Sequence, residues 1–306
     1  MTQPGGRWRW SRLSRFGILV NKGKPKARVV MKELVHLLEE RRAEVRLEPE
    51  IAREVDRDDL ALPVDRFPEA VDIVFVLGGD GTLLGVARRF AAYHIPILGF
   101  NLGHLGFLSE AEPDSLATAV DRILQGDYYI EKRMMLNAEV VRGGEVLEKS
   151  VALNDVGIAK GSFSRMITGT VYMDGIYLGT YSGDGLIVSS PTGSTAYSLS
   201  CGGPIVWPGV QSILLTPICP HTLTARPMVL PSECTLEIRV SATHQDIGLT
   251  IDGQLGYRLE VDDVIRVAAS KHITSLIKWE ERDFFEVVRK KLQGEQDEGS
   301  GLEGKK

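Results

Sequence analysis

The chain has 306 residues, 43% of them hydrophobic, and a formal net charge of −5. That length accommodates roughly two domains with a large core, the negative balance argues against nucleic acid as a partner, and no apolar run approaches the ~20 residues of a membrane span. Cys201, Cys219 and Cys234 are odd in number and lack CxxC spacing, which fits free thiols in a reducing cytoplasm and no structural zinc.

In chain order, residues 1–15 carry Arg7, Arg9, Arg12 and Arg15 beside Trp8 and Trp10 without the apolar core of a signal peptide, and read as a flexible basic extension. Residues 16–20 read as a first strand, and Val30, Leu34, Leu37 and Leu38 give helical spacing over 27–42. Residues 49–68 are acidic and irregular. The apolar run 71–77 reads as a buried strand, followed by the turn Gly78-Gly79-Asp80-Gly81-Thr82, a helix over 82–92 and a strand over 95–99. Strands alternating with helices imply a parallel sheet covered by helices. The glycine-bearing loop 101–107 then leaves a strand at the end where open α/β sheets form their binding crevice, and Pro113 suits the first turn of a helix running to Leu124.

Beyond Gly126 the period changes to that of strands, at 136–142, 150–159, 167–173, 176–181, 185–190, 235–241, 247–251, 256–260, 264–268 and 273–279. Asp174-Gly175 is a two-residue hairpin signal, and Asp252-Gly253 resembles it. The expected fold is an α/β, Rossmann-like N-terminal domain over 16–126 and an all-β, sandwich-like domain over 127–280. A helix over 281–292 is expected to pack back on the first domain, ahead of a polar, disordered tail over 293–306.

Three blocks carry chemistry. The glycines of the 78–82 turn let backbone amides approach a phosphate at a helix N-terminus, and Asp80 sets a carboxylate inside that cradle. Such a charge needs a cation, or a proton to accept; the bland alternative is a helix N-cap. Asn154-Asp155 ends the apolar run 151–153, where a carboxylate could accept hydrogen bonds from ribose hydroxyls or an exocyclic amine, or merely cap a turn. Asp184, between two glycines, is open to the same two interpretations. From Ser189 to Pro204 only Tyr197 and Leu199 are large, so the run offers short hydroxyls and backbone amides to a flat polar ligand, with Tyr197 placed to stack on a purine. The alternative is a plain Ser/Gly-rich loop. There is no GxxxxGK[ST], no HRD…DFG set, no GxGxxG after the first strand and no GxSxG.

With these blocks in this order, together with the motifs at 101–107 and 220–227, the chain resembles NAD kinases of the bacterial type over about residues 16–285. The Gly-Gly-Asp-Gly-Thr block alone is shared with diacylglycerol, sphingosine and phosphofructokinases. The resemblance implies phosphorylation of the adenosine-ribose 2′-hydroxyl of NAD by ATP with Mg²⁺ or another divalent cation. It also implies a homodimer or homotetramer, while charge and composition point to neither nucleic acid nor membrane as a partner. Asp80 matches the family's general base. Asp80, Gly81, Asn154, Asp155, Arg165, Asp184, Thr195, Ala196, Tyr197, Ser198, Leu199, Ser200 and Gln254 match NAD-contacting positions. Gly78, Gly79, Gly81 and Thr82 are expected to hold the ATP phosphates. No dedicated cluster of metal ligands is seen, so ATP and water are expected to carry the cation. Two departures stand out: Asp155 replaces a common Glu, and Ser182-Gly183 supply no cation before Asp184. The alternatives are a lipid or sugar kinase with the same glycine-Asp turn, and a non-catalytic NAD-sensing module.

Overall fold

The computed structural model of the protein describes residues 14–103, 106–161 and 165–292. Most of the basic extension, the tail over 293–306, and His104 and Leu105 of the 101–107 loop lie outside the described residues. Arg15 belongs to the first strand instead of the extension.

The first half comprises β1 (Arg15–Val20), α1 (Ala27–Glu40), β2 (Glu44–Leu47), α2 (Pro49–Glu54), α3 (Phe67–Ala70), β3 (Ile73–Gly78), α4 (Asp80–Phe90), β4 (Ile97–Asn101) and α5 (Leu116–Gln125). Its strands run parallel in the order β2-β1-β3-β4. All six residues of β3 are buried, as a central strand covered on both faces demands. Phe75 stacks on Phe16 at 5.1 Å and meets Phe100 edge-on at 5.6 Å, tying three neighbouring strands together. The amphipathic α1 buries Val30, Met31, Leu34, Val35 and Leu38 against this layer, and Gly126, with φ at 74°, stops α5 in the left-handed conformation.

The second half comprises β5 (Tyr129–Arg142), β6 (Glu145–Ala152), β7 (Asp155–Lys160), β8 (Ile167–Met173), β9 (Ile176–Gly183), β10 (Gly185–Ser189), α6 (Tyr197–Ser200), β11 (Ser212–Ile218), β12 (Met228–Pro231), β13 (Thr235–Ser241), β14 (Ile247–Ile251), β15 (Leu255–Leu259), β16 (Val264–Lys278) and α7 (Phe284–Leu292). These strands pair antiparallel within two sheets that share one apolar core. The six-stranded sheet runs β12-β11-β10-β7-β14-β15. The other sheet continues from the parallel layer through β16, whose Leu276 pairs with Ile97 of β4, so one ten-stranded sheet spans both halves.

Several expected boundaries shift. The stretch 150–159 is two strands broken at Leu153-Asn154. The expected strands 264–268 and 273–279 are one strand with a bulge between Ala269 and Ile273. The expected helices over 82–92 and 281–292 run instead over Asp80–Phe90 and Phe284–Leu292, and the acidic stretch 49–68 contains α2. β2, the first half of β5, β11 and β12 carry too weak an alternation to be read locally. β11, for example, is a short apolar run interrupted by Pro217 yet buried throughout.

Candidate active site

Asp80 opens α4 at the carboxyl end of the central strand β3. Its neighbours fix the turn sterically. A Cβ on Gly78 would lie 2.4 Å from Thr82 Oγ1, whereas a Cβ on Gly79 would meet nothing within 4 Å, so that backbone is open to an approaching ligand. Thr82 donates its amide to the Gly79 carbonyl at 2.9 Å, and its hydroxyl accepts from Asn21 Nδ2 at 3.0 Å. The turn therefore offers fewer free amides than the sequence suggests, because the Thr82 amide is spent within it.

The Asp80 charge is answered by the protein itself. Its carboxylate accepts hydrogen bonds from the amides of Phe107 at 2.7 Å, Leu108 at 3.3 Å and Ser109 at 3.4 Å. Gly106 makes that approach feasible, since a Cβ there would sit 1.9 Å from Asp80 Oδ1. The loop is anchored from behind by the fully buried Glu110 side chain, which accepts from Lys278 Nζ at 2.8 Å and the Trp279 amide at 3.0 Å. Burial pushes the Lys278 pKa down, and Glu110 opposes that shift. The end of β16 thus fixes the loop that orients Asp80.

A second network joins α4 to the β domain. Gln254 donates from Nε2 to the Gly81 carbonyl and accepts from Arg88 Nη2 at Oε1, both at 2.6 Å. Arg88 also pairs with Asp252 at 2.6 Å, and the Asp252 side chain is fully buried. The Asp252 carboxylate accepts the amides of Leu153, Asn154 and Asp155 at 3.2, 2.7 and 3.1 Å. Asp252 and Gly253 both have positive φ, so the β14–β15 connection is a tight turn with Gln254 as a third loop residue aimed at α4. Sequence reasoning read Asp252 as turn punctuation and missed Arg88. No local signal links residues 164 positions apart.

Asp155 is buried beside this network, and its carboxyl is raised to about 7, by burial first and by the Asp252 charge second. The small-residue run folds against the same turn: the Ser190 amide donates to the Asn154 carbonyl at 2.8 Å, and a Cβ on Gly193 would lie 2.1 Å from that oxygen. Thr192–Thr195 form a 3-10 turn and Tyr197–Ser200 a single helical turn. Tyr197 projects outward at 50% exposure, and Ser200 is also exposed. Thr195, Ala196 and Leu199 are half-buried. Ser198 turns inward and shares a 2.8 Å hydrogen bond with Thr216. Lys160 stands 3.7 Å from Asp184, supplying from β7 the cation absent from the residues before it. Arg165 is exposed, with its carbonyl 2.6 Å from His244 Nε2, and no described contact ties it to the Asp80 cluster.

The family model of the ATP-NAD kinase N-terminal domain matches residues 16–128, and that of the ATP-NAD kinase C-terminal domain matches residues 153–279. The chain is 43% identical over 281 residues to the NAD kinase of Geobacter metallireducens, covering 92% of this chain and 99% of the relative. To the NAD kinase of Moorella thermoacetica it is 45% identical over 281 residues, covering 92% and 90%. Its fold is similar to a yeast NADH kinase complexed with NADH, at a TM-score of 0.86 and 27% identity over 99% of this chain and 94% of that one. It also resembles, in fold, an Archaeoglobus fulgidus NAD kinase in complex with ATP, at a TM-score of 0.71 and 24% identity over 90% of this chain and 98% of that one. Nothing in these matches favours a lipid or sugar kinase.

Proposed function

The chain belongs to the NAD kinase family and phosphorylates NAD, and from that premise we propose that Asp80 is the general base acting on the 2′-hydroxyl of the adenosine ribose, with ATP as donor. The observation that carries this is the Asp80 carboxylate, held by three amides beside an open glycine backbone. A carboxylate offers about four acceptor positions, so three amides fix its orientation and leave room for one hydroxyl. The ribose O2′ forms a bond to the γ-phosphorus as the bond to the β,γ-bridging oxygen breaks. The hydroxyl proton passes to Asp80 and ADP leaves with the bridging oxygen's electrons.

The Gly79 and Gly81 amides, at the positive end of α4, suit the triphosphate. Asn154, Asp155 and the run Thr195, Ala196, Tyr197, Ser198, Leu199, Ser200 suit the adenosine half, with Tyr197 available to stack. Burial raises the Asp155 carboxyl toward neutrality, and its protonated form donates where the carboxylate accepts. Gln254 acts by tying Gly81 to Arg88. A Mg²⁺ arriving with ATP would be held by the phosphates and water, leaving Asp80 to the hydroxyl. Such a cation supplies charge neutralisation at the phosphates.

Asp80→Asn is expected to keep NAD affinity by calorimetry while kcat falls by about 10²–10⁴; near-normal turnover would remove Asp80 from that role. We also infer a homodimer or homotetramer, to be measured by analytical ultracentrifugation, since the large apolar side chains of Trp207 and Leu223 stand exposed. Three free cysteines suit a reducing cytoplasm, which cell fractionation would test.

A further inference from the structure

Arg88 also lines a cleft of about 690 Å³, a volume ordinary for small-molecule sites. Its wall includes Arg88, Lys149, Lys271 and His272 and contains no Asp or Glu, although the chain as a whole carries −5. None of the residues assigned above to NAD or phosphate lines it. A backbone irregularity supplies Lys271 and His272 to that wall. Ladder pairing between β16 and β5 passes from Ala269–Leu136 directly to Ile273–Met134, so Ser270, Lys271 and His272 oppose the single residue Met135. Bulges of this kind re-aim side chains, commonly beside functional sites. Lys149 has Glu139 as an ion-pair partner at 2.7 Å, whereas no ion pair of Lys271 is found among the described residues.

We propose that this cleft binds a small polyanion bearing carboxylates or phosphates, and that the ligand modulates NAD affinity through Arg88. The chemistry is complementary, since guanidinium and ammonium groups recognise such anions by charge-assisted hydrogen bonds. The coupling is physical. Arg88 divides its donors between Asp252 and Gln254, and these hold the 153–155 amides and the Gly81 carbonyl respectively. An anion drawing on Arg88 from the cleft competes for those donors and shifts both supports.

The test uses the full-length protein and two probes, citrate and inorganic phosphate, titrated calorimetrically without metal or nucleotide. One equivalent of at least one probe is expected to bind at about 1 mM or tighter. Binding should weaken about tenfold or more in Lys271→Ala/His272→Ala and recover in Lys271→Arg. Citrate binding alone assigns a polycarboxylate, and phosphate binding alone a phosphate ester. With free Mg²⁺ held constant, the bound probe should change the KM for NAD in the parent enzyme and not in the double variant, whose activity without probe stays at the parental value. Absence of binding tighter than about 10 mM overturns the site, as does binding that survives the double substitution. Binding without a change in KM overturns the coupling. The calorimetric arm needs no turnover, so its failure is distinct from a failure of the assigned reaction.

Discussion

At the scale of single residues, the site depends on placements that a methyl group would spoil. Gly106→Ala would drive a Cβ to 1.9 Å from Asp80 Oδ1, so either the loop or the carboxylate must move. We expect kcat to fall by about 10²-fold, the cost of misplacing a reacting group by about 1 Å, with the melting temperature nearly unchanged. A parental kcat would show that the 107–109 amides do not orient Asp80. Asp155 makes a prediction about pH. Its folded pKa of about 7 lies above the ordinary value of 3.8, so between those values the folded state binds more protons than the unfolded one. Stability from this group is therefore full below pH ~4 and lost as pH rises through about 7. Asp155→Asn should flatten that decline in urea melts taken from pH 5 to 8, and an unaltered pH slope would assign the decline to other groups.

At the scale of elements, α4 and the β14–β15 hairpin behave as one unit because Arg88 and Asp252 meet out of water. Their side chains are 11% and 0% exposed. Asp252→Ala removes a buried charge's partner and also strands three amides, so a loss of about 3–5 kcal/mol is expected in denaturant melts, with a raised KM for NAD because the Asn154-Asp155 turn loses its support. A loss below about 1 kcal/mol would mean that the pair is not buried as described. Much of this element layer was legible in advance. The buried β3 run, the glycine turn and the Asp174-Gly175 hairpin each announce themselves within a few residues, since steric rules and side-chain period act locally. The β16 bulge was not legible: 270–272 look like a gap between strands, and only pairing with β5 shows one strand passing through.

At the scale of the whole molecule, the two halves share a ten-stranded sheet closed by the Leu276–Ile97 pairing. Leu276 is 1% exposed and packs within the core of the first half although it belongs to the last strand. Leu276→Ala is expected to cost about 2–5 kcal/mol and to lower a single cooperative transition, seen alike by near-UV and far-UV circular dichroism. Two separated transitions would show that the halves unfold independently.

By itself the sequence determined the change from alternating helices and strands to a strand-rich second half, the position of Asp80 at a strand-to-helix turn, and the run of small residues after Ser189. These follow from period and backbone sterics, which act over a few residues. The tertiary structure decided what those groups experience: three loop amides on Asp80, a buried Asp252 gripping both Arg88 and the 153–155 amides, and an Asp155 carboxyl raised by burial. Hydrogen bonding and desolvation depend on which distant segments exclude water together, and no local stretch of sequence carries that.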